Sequence, residues 1–422
     1  MKTTAIILFV LTYVLMIALP KYRHLVAMVS AAVFVILGIL PVSDVFASVD
    51  WNIIMMLIGT MGTVSLFIES KMPNRLADLL INKTPNVMIA AVVMSLFAGF
   101  VSAFVDNVAT LLMIAPVGLA TAKKLKISPV PLLISISVSS NLQGAATLVG
   151  DTTSILLGGY AGMDFLDFFL LDGKLSIFWA VELGALATVP VIMFLFRKDK
   201  GAIAKSQITE VNDMVPSVLL VLNVVLLIIA SFIPEKPAIT NGVICLAICM
   251  FGVVRAYIKK GSFDIVKQVA HDIDYVTICL LAGLFIVIAG ITKAGVIEDL
   301  SQLFVTIGGD NLFLMYSLLV WGSVLLSAFI DNIPYVATML PVVTSIASIM
   351  GVSPYLLYFG LLSGATLGGN LSPIGASANI AAIGILRKNG YEVKTTDFFR
   401  IGIPFTITAV VTSYIFCWII WA

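Results

Sequence analysis

The stretch SAFVDNVATLLMIAPV at residues 102–117 returns almost unchanged as SAFIDNIPYVATMLPV at residues 327–342. Each copy places an Asp-Asn pair inside an apolar run, and Asp331 follows Asp106 by 225 positions. The same offset relates, without insertion, Ser128-Pro129 to Ser353-Pro354, Gly144 to Gly369, Gly150 to Gly375 and Ile155 to Ile380. Shared hydrophobicity alone would not keep Asp, Asn, Gly and Pro in register, so the chain is an internal duplication.

The composition is that of a membrane protein. Of the 422 residues, 60% are hydrophobic and 11% are charged, where soluble domains average about 25% charged residues. Apolar runs long enough to cross a bilayer recur along the whole chain, which predicts an all-α polytopic fold. No Gly-rich loop followed by Lys-Ser/Thr is present, so an ATP-driven pump would need a partner subunit, whereas the transporter we predict requires no ATPase subunit. We expect a lipid bilayer and a small ion as partners, with no cofactor and no nucleic acid.

Each half of the duplication predicts spanning helices, a re-entrant hairpin and a broken transmembrane helix. The first half gives helices at about 3–19, 25–41, 51–69 and 175–196, a hairpin at 88–122 and a broken helix at 132–160. The second half gives helices at about 215–233, 238–256, 275–293 and 401–421, a hairpin at 312–350 and a broken helix at 355–386. A hairpin does not cross the bilayer, so each half crosses five times and the second half is inverted. The domains are therefore a first inverted repeat, 1–196, a cytoplasmic linker, 197–214, and a second inverted repeat, 215–422.

The basic residues predict the orientation. If both termini lie outside the cell, all but four of the 24 Lys and Arg fall in predicted cytoplasmic segments, which are residues 20–24, 70–86, 123–126, 197–214, 255–274 and 387–400. Lys123, Lys124 and Lys126 end the first hairpin inside, whereas the second hairpin ends outside near Gly351 in an uncharged loop. We expect a multi-pass protein of the inner (plasma) membrane.

Both predicted broken helices are rich in Gly, Ser, Thr and Asn. They read SSNLQGAATLVGDTTS at 139–154 and GATLGGNLSPIGASAN at 364–379. A half-helix N-terminus suits an anion, whereas unwound carbonyls with hydroxyl and amide oxygens suit Na⁺. Inverted repeats with interrupted helices are typical of secondary transporters, whose sites lie near the bilayer midplane. The pattern therefore predicts an ion site but leaves the sign of the ion open.

Four carboxylates, Asp106, Asp151, Glu182 and Asp331, fall well inside predicted spans, and Glu182, nearer the outer surface, is expected to have a structural role. Ionisable groups at that depth are costly and are functional candidates by default. No Lys or Arg is predicted at comparable depth, so we expect a proton or Na⁺ to neutralise them, with Na⁺ possible at Asp106, Asn107, Asp331 and Asn332. The simpler alternative is that Asp106 and Asp331 only cap the helices that follow them.

These motifs resemble the ion transporter superfamily, in the branch of arsenite permeases, NhaD-type sodium/proton antiporters and the melanosomal P protein, which shares a citrate-transporter-like domain. The resemblance implies a homodimer with an elevator mechanism, scaffold helices at about 1–69 and 215–293 and a transport domain at about 88–196 and 312–422. Relatives commonly read Gly-Asp-Pro-Pro-Asn where this chain has Gly150-Asp151-Thr152-Thr153-Ser154.

The candidate substrate- or ion-binding residues combine that resemblance with the polar residues of the two breaks. In the first repeat they are Asp106, Asn107, Thr110, Asn141, Gly144, Thr147, Gly150, Asp151, Thr152 and Ser154. In the second repeat they are Asp331, Asn332, Thr338, Gly369, Asn370, Ser372, Gly375, Ser377 and Asn379.

The leading hypothesis is a secondary active transporter rather than an enzyme. It is a proton-coupled antiporter for Na⁺ or for efflux of an oxyanion such as arsenite. The alternative is cation-coupled import of citrate, a dicarboxylate or an inorganic anion, although a dianion would favour strong positive groups near the midplane. A membrane aspartyl protease also uses two carboxylates, but its motif is only half matched at Val149-Gly150-Asp151. A passive channel would not require two matched broken elements.

Overall fold

The structure is a computed structural model that describes residues 1–125, 127–199, 201 and 207–422. Of the predicted cytoplasmic residues, Lys126, Lys200 and residues 202–206 lie outside the described part, as does the side chain of Lys124. The described chain is nearly all helical, with one short β-hairpin, and it folds as two repeats joined through the segment before Val215.

The first repeat contains α1 (Lys2–Ala18), α2 (Arg23–Ile36), α3 (Val42–Ser48), α4 (Trp51–Glu69), α5 (Met72–Ile81), α6 (Val87–Ser102), α7 (Asn107–Leu125), α8 (Pro129–Gly144), α9 (Thr152–Ala161) and α10 (Ile177–Leu195). Short 3₁₀ turns occupy Pro20–Tyr22 and Leu166–Phe168, and strand β1 (Leu170–Leu171) pairs antiparallel with β2 (Lys174–Leu175).

The second repeat contains α11 (Val215–Ser231), α12 (Thr240–Lys260), α13 (Asp264–Asp272), α14 (Tyr275–Lys293), α15 (Val296–Gly308), α16 (Leu312–Ser327), α17 (Asn332–Met350), α18 (Tyr355–Leu362), α19 (Ser377–Lys388) and α20 (Thr395–Trp421). A π-helical segment, Ser363–Leu367, and a 3₁₀ turn, Gly369–Leu371, follow α18.

The hairpins and broken helices repeat at the offset seen in the sequence. Helices α6, α7 and α9 begin 225 positions before α16, α17 and α19. Even the caps are equivalent, because Asn86 accepts the Ile89 N–H and Asn311 accepts the Leu314 N–H, both at 3.0 Å. These side chains satisfy backbone donors that the first helical turn leaves free.

The two hairpins enter from opposite ends of the molecule. The open end of the first is fixed by the Val87 N–H, which donates to the Gly201 carbonyl (3.2 Å), just beyond the C-terminus of α10. At the open end of the second, the Tyr355 ring lies 5.7 Å from Trp421, whose indole donates to the Leu175 carbonyl near the N-terminus of α10. The predicted inverted arrangement of re-entrant hairpins and broken helices is therefore confirmed.

Helix packing follows the same symmetry. Helix α4 packs on α12, and their counterparts α14 and α2 pack on each other. Helices α10 and α20, which are also counterparts, pack together. Among the described residues, six helices are long and apolar enough to cross a membrane: α4, α10, α12, α14, α17 and α20.

The first two predicted spans differ from the structure. Helix α1 and the following segment Pro20–Ile36 meet at 114°. Together, as a bent pair, they have the length and apolar composition of one membrane span, where the sequence predicted two. The predicted helix at 25–41 ends early at Ile36, because Gly38 adopts φ +69° and Pro41 precedes the short helix α3. Helices α15 and α16 form a second bent pair, at 116°.

Candidate functional site

Each hairpin tip is an aspartate that caps the helix behind it. Asp106 Oδ1 accepts the N–H groups of Val108 (3.0 Å) and Ala109 (3.1 Å) at the start of α7. Asp331 Oδ1 accepts the N–H of Ile333 (3.1 Å) at the start of α17. The capping role that the sequence left as the simpler alternative is therefore present in both tips, but it uses only one oxygen of each carboxylate.

The second oxygens have different surroundings. Asp331 Oδ2 forms an ion pair with the Arg23 guanidinium and lies 3.4 Å from the Ser377 hydroxyl. Asp106 Oδ2 has no hydrogen-bond partner among the described residues. The expectation that no Lys or Arg would reach the carboxylates was wrong for Asp331, because the corner between α1 and α2 carries Arg23 to the second tip.

Asp106 lines a cavity of about 640 Å³ between the hairpin tips and the helices α4, α13 and α14. Six predicted site residues line it: Asp106, Asn107, Asp151, Thr152, Asn332 and Ser377. The opposite wall includes Ser65 of α4, Asp272 of α13, and Asp274 and Thr277 at the start of α14. Asp331 and Arg23 are not among the lining residues.

The cavity is acidic. Four carboxylates line it, those of Asp106, Asp151, Asp272 and Asp274, and none of the described lining residues is Lys or Arg. Two of the four are held by hydroxyl donors, since Ser65 donates to Asp272 (2.6 Å) and Thr277 donates to Asp274 (2.6 Å). Four carboxylates, with His271 as the one titratable base among the described lining residues, favour a cation in this space.

The broken helices depend on glycine at matched positions. A Cβ atom at Gly150 would lie 2.5 Å from the Gly144 carbonyl oxygen, and one at Gly375 would lie 2.6 Å from the Gly369 carbonyl oxygen. Only glycine permits so close a backbone approach. Each unwound segment is thereby folded against the end of the helix before it.

Hydroxyl groups attach each unwound segment to its own hairpin tip. Thr147 donates to the Ala103 carbonyl, and Ser372, its counterpart, donates to the Ala328 carbonyl, the counterpart of Ala103. These residues are buried and their hydroxyls are already bonded, so the structure places them in support of the tips and away from the cavity surface.

The first break then ends at Asp151, which caps α9. Its Oδ1 accepts the Thr152 N–H (2.7 Å) and its Oδ2 accepts the Thr153 hydroxyl (3.1 Å). The equivalent residue in the second repeat is Ala376, and α19 has no side-chain cap. The cavity is therefore lined by the start of α9, which has a carboxylate cap, and by the start of α19, which has none.

An amide network joins the two repeats behind the cavity. Asn107 donates to Asn141 Oδ1 (3.0 Å), and Asn141 Nδ2 lies 2.8 Å from the Thr366 carbonyl oxygen and 3.1 Å from Asn370 Oδ1. Asn379 accepts the Ser137 hydroxyl at 2.8 Å. All of these side chains are buried, so the network fixes the relative position of the two unwound segments.

Three predicted candidates have their hydroxyls occupied elsewhere. Thr110 is buried behind the first tip and donates to the Val105 carbonyl at 3.3 Å. Thr338 is nearly two turns into α17, where its hydroxyl contacts Tyr13 of α1. Ser154 lies 3.4 Å from the Gly144 carbonyl oxygen. The structure thus separates the 19 candidates into the six at the cavity, Asp331 paired with Arg23, and a buried supporting set.

Two residues near the tips were missed by the sequence analysis. Arg23 was assigned to a cytoplasmic loop, and its pairing with a residue 308 positions away leaves no sequence signal. Ser102 is buried with its hydroxyl unbonded among the described residues, and a Cβ at Gly144 would lie 3.5 Å from that hydroxyl. Ser102 has a counterpart in Ser327, so its repetition at the same offset could have identified it as a candidate from the sequence. In the described part of the chain, no group of three or more His, Cys, Asp or Glu could hold a metal ion.

The comparisons with known proteins agree with this architecture. A family model described as "Citrate transporter" matches residues 13–364. An uncharacterized transporter of Mycobacterium tuberculosis is 30% identical over 99% of this chain and 98% of its own length. The human P protein is 24% identical over 94% of this chain and 57% of its own length.

The fold also matches a solved structure. The YdaH transporter of Alcanivorax borkumensis, whose topology is described as unusual, superposes with a TM-score of 0.61 at 12% identity, covering 89% of this chain and 87% of that chain. The predicted resemblance to the ion transporter superfamily is confirmed by the family model and the relatives. The chain thus belongs to the citrate transporter family and is a multi-pass membrane transporter, not an enzyme.

Proposed function

We propose that the protein is a secondary active transporter whose first tip takes up a coupling cation, H⁺ or Na⁺, and exchanges protons for a small cation. The observation that carries this proposal is the cavity lined by four carboxylates and, among the described lining residues, by no Lys or Arg. An anion entering it would be repelled by those carboxylates unless cations entered with it, whereas a cation would gain their attraction. Asp106 has a free carboxylate oxygen for that cation.

Helix packing supports an elevator motion. Helices α1, α2, α4, α11, α12 and α14 pack among themselves, and α6 to α8 pack with α10, α19 and α20. The acidic cavity lies between the two groups, with Ser65 on one side and Asp106 on the other. A second cavity, of about 500 Å³, lies nearer the other face, between Asp50 before α4 and Tyr160 of α9, and α14 and α17 also line it. Sliding one group past the other would carry the site from one face towards the other.

The orientation follows from the predicted topology. The acidic cavity lies against α13, which is part of the basic segment 255–274 that is predicted to be cytoplasmic. In that orientation the site in this conformation is nearer the cytoplasm, and both termini lie outside. The homodimer and the inner-membrane location are part of the same proposal and rest on the resemblance.

One observation favours a second candidate, cation-coupled import of a carboxylate such as citrate. The first residues of four helices line the cavity: Asn107 of α7, Thr152 of α9, Asn332 of α17 and Ser377 of α19. Helix N-termini present free N–H groups and partial positive charge to anions. Three of these helices are capped by Asp, but α19 is not, so a carboxylate would be accepted there while a cation neutralised Asp106 and Asp151. The family description is consistent with such a substrate.

The deciding experiment uses the purified protein in proteoliposomes with a pH dye inside and an imposed proton gradient. Na⁺, Li⁺, K⁺, arsenite and citrate are added in turn. Collapse of the gradient by Na⁺ or Li⁺ alone supports the cation/proton exchange, and a response to citrate alone selects the second candidate.

Asp106→Asn should abolish the response while its amide oxygen still caps α7. Asp299→Asn, at an exposed surface ion pair, is the matched control and should transport normally. Normal exchange by Asp106→Asn would overturn the role of the first tip.

A further inference from the structure

We propose that the Arg23 guanidinium is a built-in cation for the second tip, so that only the first tip recruits a coupling cation from solution. This inference rests on the proposed function, since it assigns how many ions the paired tips can hold. In this proposal Arg23 is a positioning residue that acts through Asp331. The two equivalent carboxylates are then neutralised differently: Asp331 by Arg23, and Asp106 by a cation from solution.

The difference is visible because the two tips are otherwise equivalent. Asp106 and Asp331 stand at the same repeat position, and each uses Oδ1 to cap the helix behind it. Asp331 Oδ2 is then occupied by Arg23, with the Ser377 hydroxyl 3.4 Å away. Asp106 lines the acidic cavity, but Asp331 does not. The second tip therefore carries no net charge, whereas the first tip keeps a carboxylate that an ion must neutralise.

Arg23 is held at the tip by the shape of the corner between α1 and α2. It is the first residue of α2, directly after the 3₁₀ turn at Pro20–Tyr22. Within α1, five residues before its end, Tyr13 donates to the Pro334 carbonyl (2.7 Å), and its hydroxyl also contacts Thr338. These contacts fix the corner along α17. The side chains of Arg23 and Asp331 are only 19% and 13% exposed. Cations from solution therefore compete less well for Asp331 than they would at a surface ion pair.

The first tip has no such residue. The corresponding corner of the second repeat lies between α11 and α12, at residues 232–239. Its one base, Lys236, forms an ion pair with Asp164 and donates to the Ala230 carbonyl (3.0 Å), and none of its residues lines the acidic cavity. The first tip therefore receives no base from this corner.

Arg23→Ala tests the proposal, because it leaves the Asp331 carboxylate unpaired beside a space of guanidinium size. Thermal unfolding in detergent at constant ionic strength, with choline chloride as the balancing salt, should show a midpoint lower by about 5 °C. Guanidinium chloride at millimolar concentration should restore most of that loss, and choline should not. Na⁺ should also stabilise Arg23→Ala by a second saturable step that the wild type lacks.

Three further variants make the test specific. Arg23→Ala/Asp331→Asn has neither charge, so it should be more stable than Arg23→Ala and insensitive to guanidinium. Arg23→Ala/Asp106→Asn should keep the guanidinium response, because that response arises at the second tip. Lys2→Ala removes the exposed pair with Asp299 and should change neither midpoint nor guanidinium response.

The outcomes separate this proposal from the proposed function. Absence of guanidinium recovery in Arg23→Ala, or an equal recovery in the double variant with Asp331→Asn, would overturn the built-in cation. If Arg23→Ala does not fold, a folded double variant supports the proposal, and a double variant that is also unfolded overturns it. Failure of the wild type to exchange any cation for protons would overturn the proposed function while the guanidinium result still stood.

Discussion

Asn141 donates a hydrogen bond of 2.8 Å to the backbone carbonyl of Thr366, and these two residues hold equivalent positions in the two repeats. Counterparts in an inverted duplication can touch only where the pseudo-two-fold axis passes. The axis therefore runs through the unwound ends of α8 and α18, directly behind the cavity. Asn107 and Asn370 complete the buried amide network around that point.

Asn141→Ala should therefore be among the most damaging single substitutions in the transport bundle. It removes the acceptor of Asn107 and the donor to Thr366, and it leaves both buried groups without that partner. We expect a loss of about 3 kcal/mol in the free energy of unfolding, since unpaired buried polar groups cost about 1–3 kcal/mol each. The measurement is the denaturant or thermal midpoint in detergent. Asn389→Ala, at an exposed Asn that donates to the Ile385 carbonyl, is the control and should lose less than about 1 kcal/mol. Equal losses in the two variants would contradict the central position of Asn141.

Gly150→Ala should prevent the first unwound segment from closing against its tip. The added Cβ would lie 2.5–2.8 Å from the carbonyl oxygens of Gly144, Ser102 and Ala103, which are backbone atoms and cannot rotate away. We expect a loss of more than about 2 kcal/mol in stability, read as a lower unfolding midpoint and poor yield. Gly322→Ala on α16 meets nothing within 4 Å and should be neutral or stabilising by up to about 1 kcal/mol. A Gly150→Ala protein with the wild-type midpoint would contradict this prediction, because the backbone of the hairpin tip could then move away from the added Cβ without loss of stability.

The repeat allowed much of this architecture to be predicted from the sequence. The hairpin at 312–350 and the second repeat's broken helix begin where expected, because Asp, Pro and Gly interrupt apolar runs at fixed offsets. The tips were located by a carboxylate inside an apolar segment, a placement that is costly without a function. The short helices α3, α5, α13 and α15 were missed, since a search for runs of bilayer length passes over amphipathic helices of 7–13 residues.

The asymmetry of the site could not be predicted. The charge pattern assigned Arg23 to a loop, but whether that loop bends into the protein depends on the 114° angle between α1 and the segment that follows it. The division of the candidates also depends on tertiary structure. Thr338 has the composition of an ion ligand, yet its hydroxyl contacts Tyr13, which is 325 positions away in the sequence.

At the predicted cytoplasmic surface, stability should depend on pH through Asp213. Burial opposes ionisation of this carboxyl, but hydrogen bonds from Arg255, the Val215 N–H and Lys259 outweigh it and lower the pKa of Asp213. A lowered pKa in the folded state stabilises the fold above the ordinary Asp pKa of about 3.9, and this contribution is lost as the pH falls below that value. The midpoint of Asp213→Asn should therefore lie below that of the wild type at pH 7, and the difference should close as the pH falls below about 4.

The matched control for Asp213 is Asp310→Asn. Asp310 is exposed between α15 and α16 and has no ion pair among the described residues. Its substitution should leave the midpoint unchanged at each pH. A difference between the wild type and Asp213→Asn that persists undiminished into acid would mean that packing of Asp213, and not its charge, supports the start of α11.

Asp151 is a carboxylate of the first broken helix, and its counterpart in the second broken helix is the uncharged Ala376. Its side chain lines the cavity together with Asp106, so a cation held at the first tip would be attracted by both. Asp151→Asn keeps an oxygen to cap α9 but removes the charge, and we expect the Na⁺ concentration for half-maximal exchange to rise at least about tenfold, equivalent to about 1.4 kcal/mol of binding free energy. The maximal rate should fall less, because Asp106 remains.

Asp272→Asn, across the cavity on α13, is the comparison, and its effect should be smaller and should weaken as salt is added. Unchanged Na⁺ dependence in Asp151→Asn would place the cation at Asp106 alone, and an equal effect of both substitutions would indicate that the cavity attracts cations by its overall charge without a defined site at the first tip.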